Sequence, residues 1–214
     1  MRSPRAASLR IPLALVCSCA FAVAGHTQGS APTALDALRD PSWSYGFQVY
    51  GGTATKSTPP IPDAPGRYPS SFGAELHIGH VMTGEHAEGW RRGTFEWDFS
   101  VIPVALYFVN GRTYYMGGLE ALDPRWNFTR VSKRMVPFFG FDGGMLFGPN
   151  KFPPGDTSQV NFTAALDLGA HLFMHRRQSF DTTVRLHHIS NAEIGHYNPG
   201  VPLSIQLMLG YTWF

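Results

Sequence analysis

Beyond residue 24 this 214-residue chain contains no cysteine; its only two, Cys17 and Cys19, lie near the amino terminus. The remainder therefore has no disulfide, no thiolate metal site and no cysteine nucleophile. A marked charge of either sign is also missing. Seventeen basic and 15 acidic residues give +2, and Arg2, Arg5 and Arg10 near the start more than account for it. No basic stripe offers itself to a nucleic acid, so that class of partner is set aside. Long apolar runs are absent too. Past residue 24 none approaches the ~20 residues of a membrane-spanning helix. Stability must come from sheet closure and packing.

The first 24 residues read as a secretory signal peptide. Arg2, Arg5 and Arg10 form the charged start, Ile11 to Ala24 the apolar stretch, and Ala22-Val23-Ala24 a small-residue cleavage site. An uncleaved anchor would need a longer run. A lipoprotein with Cys19 as lipid acceptor is a further alternative, which Val16-Cys17-Ser18 suits poorly. Residues 25–43 form a polar leader. Leu35 and Leu38 share one face of a possible short helical turn, too little to hold a helix by itself. The leader is a periplasmic strap or plain disorder.

What the chain does have is glycine, 23 residues, and aromatics, 14%. Glycine suits turns and crowded barrel interiors, and aromatics suit membrane interfaces. Roughly eight strand-like segments follow the leader, at 44–51, 72–82, 93–109, 113–130, 134–147, 160–174, 178–191 and 202–214. In the last, Leu203, Ile205, Leu207, Leu209, Tyr211 and Trp213 alternate with Ser204, Gln206, Met208, Gly210 and Thr212, before the aromatic terminus Phe214. Successive strand side chains face opposite ways, so one wall is apolar and the other mixed. A soluble sandwich alternates as well, and periodicity does not say which wall meets solvent. Signal peptide, missing cysteines and terminal Phe214 favour the membrane. The expected fold is all-β: an eight-stranded antiparallel transmembrane β-barrel over 44–214, in the outer membrane. With both ends in the periplasm, Gly51–Ser71, Gly148–Gln159 and Asn191–Val201 become long outer loops. Val131–Lys133 and His175–Arg177 become short inner turns. Asn110-Gly111-Arg112 and Thr83–Trp90 break that pattern.

Chemistry concentrates in one place. His188 and Ser190 share parity with Phe180, Thr182, Val184 and Leu186, hence the apolar, lipid-facing wall. Polar groups in membrane positions are functional by default. Odd strands run outward, so the pair lies near the outer rim, where lipid head groups meet acyl chains. At that spacing an imidazole can reach a hydroxyl, the minimum for an activated serine. His187 has the opposite parity and should be a structural residue inside. His171 and His196 show no metal spacing with it, so no metal is expected. Asn191 and nearby backbone amides are candidates to hold an oxyanion, or else ordinary turn residues. In Asn198-Pro199-Gly200, Gly200 allows close backbone approach.

The segment His188-Ile189-Ser190-Asn191-Ala192, followed by Asn198-Pro199-Gly200 and an apolar closing strand, resembles the lipid A 3-O-deacylase family, also labelled acyloxyacyl hydrolases. Weaker similarity extends around Arg125-Trp126-Asn127-Phe128 and Phe139–Phe147, so that the resemblance spans about 93–214. It implies an eight-stranded outer-membrane barrel with a lipid-facing serine, histidine and acid. Ser190 would be the nucleophile and His188 the general base. Asn191, Asn198 and Gly200 would belong to the oxyanion or substrate site. It also implies a glutamate where this chain has Pro202, a residue whose side chain cannot orient a histidine. Glu193 is the nearby substitute.

The sequence thus points to a cofactor-free outer-membrane esterase. Ser190 and His188 would remove an ester-linked acyl chain from lipid A, lipopolysaccharide or a related glycolipid. The alternative is a non-catalytic barrel, lipid-binding or structural, that has lost its acid. A small porin fits poorly, because about eight strands leave an interior filled by side chains. A homodimer is left open.

Overall fold

The computed structural model describes Leu38 and residues 42–55, 69–132, 134–155 and 157–214. The expected signal peptide lies outside these residues, as does the leader up to residue 41 apart from Leu38. Eight strands follow: β1 (Ser42–Ala54), β2 (Ser70–Val81), β3 (Gly93–Val109), β4 (Arg112–Phe128), β5 (Met135–Phe152), β6 (Ser158–His175), β7 (Gln178–Ser190) and β8 (Val201–Trp213). Each pairs antiparallel with its chain neighbours. β1 also pairs with β8, from Tyr45 opposite Trp213 to Ala54 opposite Ser204, and this closes the sheet. Closure leaves no edge strand, the condition for placing a sheet in lipid.

The structure settles which wall faces out. Leu168 is 65% exposed, Leu207 54% and Leu76 53%, whereas Arg185 is 2% exposed inside the barrel. Apolar outside and charged inside inverts a soluble protein and matches a lipid-embedded barrel. The interior is filled in layers. Nearest the 191–200 connection, Tyr50, Ile102, Tyr107, Met116, Leu146 and Phe152 pack together. Next comes a charged layer, where Arg185 donates to Asp167 at 2.9 Å, Glu75 at 3.0 Å and Glu120 at 3.3 Å, and also to Asp142. Arg125 pairs with Asp98 at 3.0 Å. At the far end Val81, Val136, Phe173 and Phe214 surround the leader's buried Leu38. The space lined by Tyr50, Glu75, Tyr107 and Arg185 admits no water. Chemistry on a lipid substrate must then take place on the outer wall or at a rim.

Two boundaries differ from the sequence-based expectation. β1 begins at Ser42, inside the expected leader. The expected long loop 148–159 is mostly strand, with β5 running to Phe152 and β6 starting at Ser158. Glycine and proline there do not end pairing. They accompany an irregular register between Phe147 opposite Val160 and Phe152 opposite Ser158, where Gln159 Nε2 donates to Pro149 O at 2.6 Å. The Asn110-Gly111 turn does form a tight hairpin, with φ of 53° and 76°.

Candidate active site

β7 places the candidate residues by alternation. Val184 and Leu186 face outward, Arg185, His187 and Ile189 inward, and His188 and Ser190 lie half-buried on the outward wall. Ile189, fully buried between them, anchors the strand end in the apolar layer beneath. Across β6, His188 faces Ala164 and Ser190 faces Phe162. Ala164 in turn faces Gly143 on β5. Ala164 beside His188 is small, while Leu122 and Phe141 cover Gly143.

The opposite neighbour, β8, is irregular at this level. His187 pairs with Ser204, but Ile189 pairs with Val201, so β8 carries an extra residue at Pro202–Leu203. Proline has no N–H to give the ladder and is confined to edges, strand starts and such bulges. The bulge turns the Pro202 carbonyl to the histidine, 3.0 Å from His188 Nδ1. A carbonyl only accepts, so Nδ1 must carry the proton and Nε2 keeps its lone pair. That is the tautomer a general base needs. Pro202, set aside as an orienting group because its side chain offers nothing, holds the imidazole through its main chain. Among the described residues Ser190 Oγ makes no hydrogen bond, and none joins it to His188. Two residues along a strand lie about 7 Å apart, a gap an imidazole can bridge by rotation.

The 191–200 connection is organised by Asn191. Its backbone N–H donates to Asn198 Oδ1 at 3.0 Å, its Nδ2 to Tyr197 O at 2.9 Å, and its Oδ1 accepts from Glu193 N at 2.9 Å. Every polar group of its side chain is used within the loop. Asn198 spends only its oxygen; its exposed Nδ2 makes no hydrogen bond among the described residues. Gly200 has φ of 57°, and a Cβ there would lie 2.7 Å from Ile189 O. Glycine is required at that crossing. Glu193, at φ 63°, is exposed, and no hydrogen bond or ion pair joins its carboxylate to His188. The fold therefore brings His188, Ser190 and Pro202 to one rim, beside the connection in which Asn191 holds both Asn198 and Glu193. His187 is buried inside, with Gln206 Nε2 3.4 Å from its Nδ1.

The family model of the lipid A 3-O-deacylases (PagL) matches residues 63–212. The chain belongs to this family. The match encloses every site residue named above, and the lipid A 3-O-deacylase family, with the barrel, places the protein in the outer membrane. Among solved structures the barrel is similar to that of the outer membrane enzyme PagL, at 16% identity and TM-score 0.50, over 79% of this chain and 99% of that one. Neisserial surface protein A aligns at 13% identity and TM-score 0.46, over 81% of this chain and 98% of its own. The N-terminal barrel domain of Pseudomonas aeruginosa OprF aligns at 13% and 0.46, over 81% of this chain and 100% of its own. No curated protein matches the chain significantly.

Proposed function

We propose that the protein is an outer-membrane esterase that removes an ester-linked acyl chain from lipid A or a related acylated glycolipid. The observation that carries this reading is the His188–Pro202 contact, which readies Nε2 on the same outward wall as Ser190. Ser190 Oγ attacks the ester carbonyl while His188 Nε2 takes its proton. The tetrahedral intermediate collapses, and the imidazolium returns that proton to the leaving sugar hydroxyl. Water then releases the acyl group from Ser190 by the same route. Asn198 Nδ2, which the loop leaves unused among the described residues, donates to the oxyanion. The apolar outward wall beside His188 takes the acyl chain. The bilayer presents the substrate, so no deep pocket is needed.

The Pro202 carbonyl orients the imidazole but carries no full charge. Compared with a carboxylate, it stabilises the imidazolium less, so turnover should be slow. The test is direct. Purified protein reconstituted with lipopolysaccharide should release one fatty acid, and the mass of lipid A should fall by that acyl group. A second reading, a lipid-binding barrel without catalysis, is favoured by the absence of a carboxylate at His188 among the described residues. It predicts no acyl release from any acylated glycolipid.

A further inference from the structure

At the rim opposite Ser190, the 82–92 connection folds back against the lipid-facing wall. Met82 N donates to Phe95 O at 2.8 Å, and His86 and Gly93 exchange hydrogen bonds of 2.8 and 3.0 Å. Trp126 Nε1 donates to Arg91 O at 3.2 Å, and Thr129 N to Arg92 O at 3.0 Å. Gly93 permits the contact, since a Cβ there would lie 2.7 Å from Trp126 Nε1. Two adjoining pockets result, sharing Ala87 and Glu88. One, of about 690 Å³, is walled by Trp90, Trp126, Phe128 and Phe139, with Arg91 at its edge. The other, of about 560 Å³, is polar and is walled by Glu85, Arg92 and Arg130. Trp90 is 75% exposed and stacks on Phe128.

We propose that this double pocket binds one glycerophospholipid of the periplasmic leaflet. The aromatic half takes an acyl chain, and the polar half a zwitterionic head group. The rim is the one where β1 begins and β8 ends, the periplasmic side in outer-membrane barrels. Arg92 is already paired with Glu85. Arg91 and Arg130 have no ion-pair partner among the described residues and can meet a phosphate, while Glu88 can meet an ammonium. An ordinary aromatic girdle lies flat on its strands and builds no charged compartment. A free anion would make no use of the aromatic wall, and an acyl chain alone would make no use of the arginines.

The test uses the full chain purified in detergent, delipidated and given dioleoylphosphatidylethanolamine, with native mass spectrometry as readout. One lipid should be retained per barrel. Arg91→Glu with Arg130→Glu, both at exposed positions, should lower retention about tenfold, the effect of losing a charge-assisted hydrogen bond. Trp90→Ala should lower it similarly, with heat-modifiable gel mobility unchanged. Dioleoylglycerol should not be retained, and inorganic phosphate should not displace the phospholipid. Equal retention by the arginine variant, or retention of dioleoylglycerol, would mean ordinary boundary lipid and overturn the proposal. Displacement by inorganic phosphate would reduce the site to an anion site and overturn it equally.

Discussion

His188 Nδ1 lies 3.0 Å from the carbonyl oxygen of Pro202, at a bulge where β8 carries one residue more than β7. The contact fixes the tautomer of a lipid-facing histidine through a main-chain carbonyl. Pro202→Glu should therefore add imidazolium stabilisation and raise turnover, since the acid of a triad is worth up to about 10⁴ in rate. Single-turnover acyl release, with Ser190→Ala as background, measures it. An unchanged rate would mean that the carbonyl already does what a carboxylate would, or that Ser190 is not the nucleophile.

Ser190→Ala and His188→Ala should each reduce acyl release by several orders of magnitude, roughly 10⁴ or more, because members of such a unit fail together. Both lie half-buried at a strand end, so each variant should keep the wild-type gel shift on heating. Wild-type activity in either variant would place the nucleophile elsewhere.

Asn191 and Asn198 should separate. Asn198→Ala removes an exposed donor and should cost about 10²–10³ in turnover, as for an oxyanion donor. Asn191→Ala removes two loop hydrogen bonds made by its side chain. It should expose residues 191–200 to proteolysis. Equal turnover loss without proteolysis in both would assign them one role.

Glu193→Gln should leave turnover unchanged, because the carboxylate is exposed and makes no contact with His188. A fall of orders of magnitude would show that the loop closes over the histidine once lipid is bound.

The barrel was largely legible in the sequence because its alternation has period two, and a register slip would turn every side chain to the wrong wall. Periodicity could not say which wall met lipid. That followed only when Arg185 and its carboxylates were found enclosed and Leu168 and Leu207 outside. The pairing of His188 with Ser190 on one wall was legible for the same reason. The Pro202 contact was not, because it is made by a main-chain atom whose direction depends on a bulge. Asn191's role as loop hub was hidden for a similar reason: a sequence shows that an amide is present, not which of its atoms are already used. Glycine and proline at 148–155 suggested a loop, yet β5 and β6 stay paired to Phe152 and Ser158 by accepting an irregular register.

Arg185→Met should weaken the barrel more than any change at the rim. Arg185 is 2% exposed and donates to Asp167, Glu75, Glu120 and Asp142 inside the sheet. Methionine fills much of the volume, so the cost is electrostatic. Four buried carboxylates would be left together inside the barrel, and breaking a buried ion network from one side costs about 3–5 kcal/mol. The unfolding midpoint in urea should fall, and the temperature at which the compact gel band is lost should fall with it. Replacing Glu75 and Glu120 by glutamine in the same variant should restore part of the loss, because the mutual repulsion shrinks while volume is kept. If Arg185→Met alone unfolds like wild type, the carboxylates already carry enough protons to need no counter-charge, and the cation is a positioning residue for the layer rather than its support.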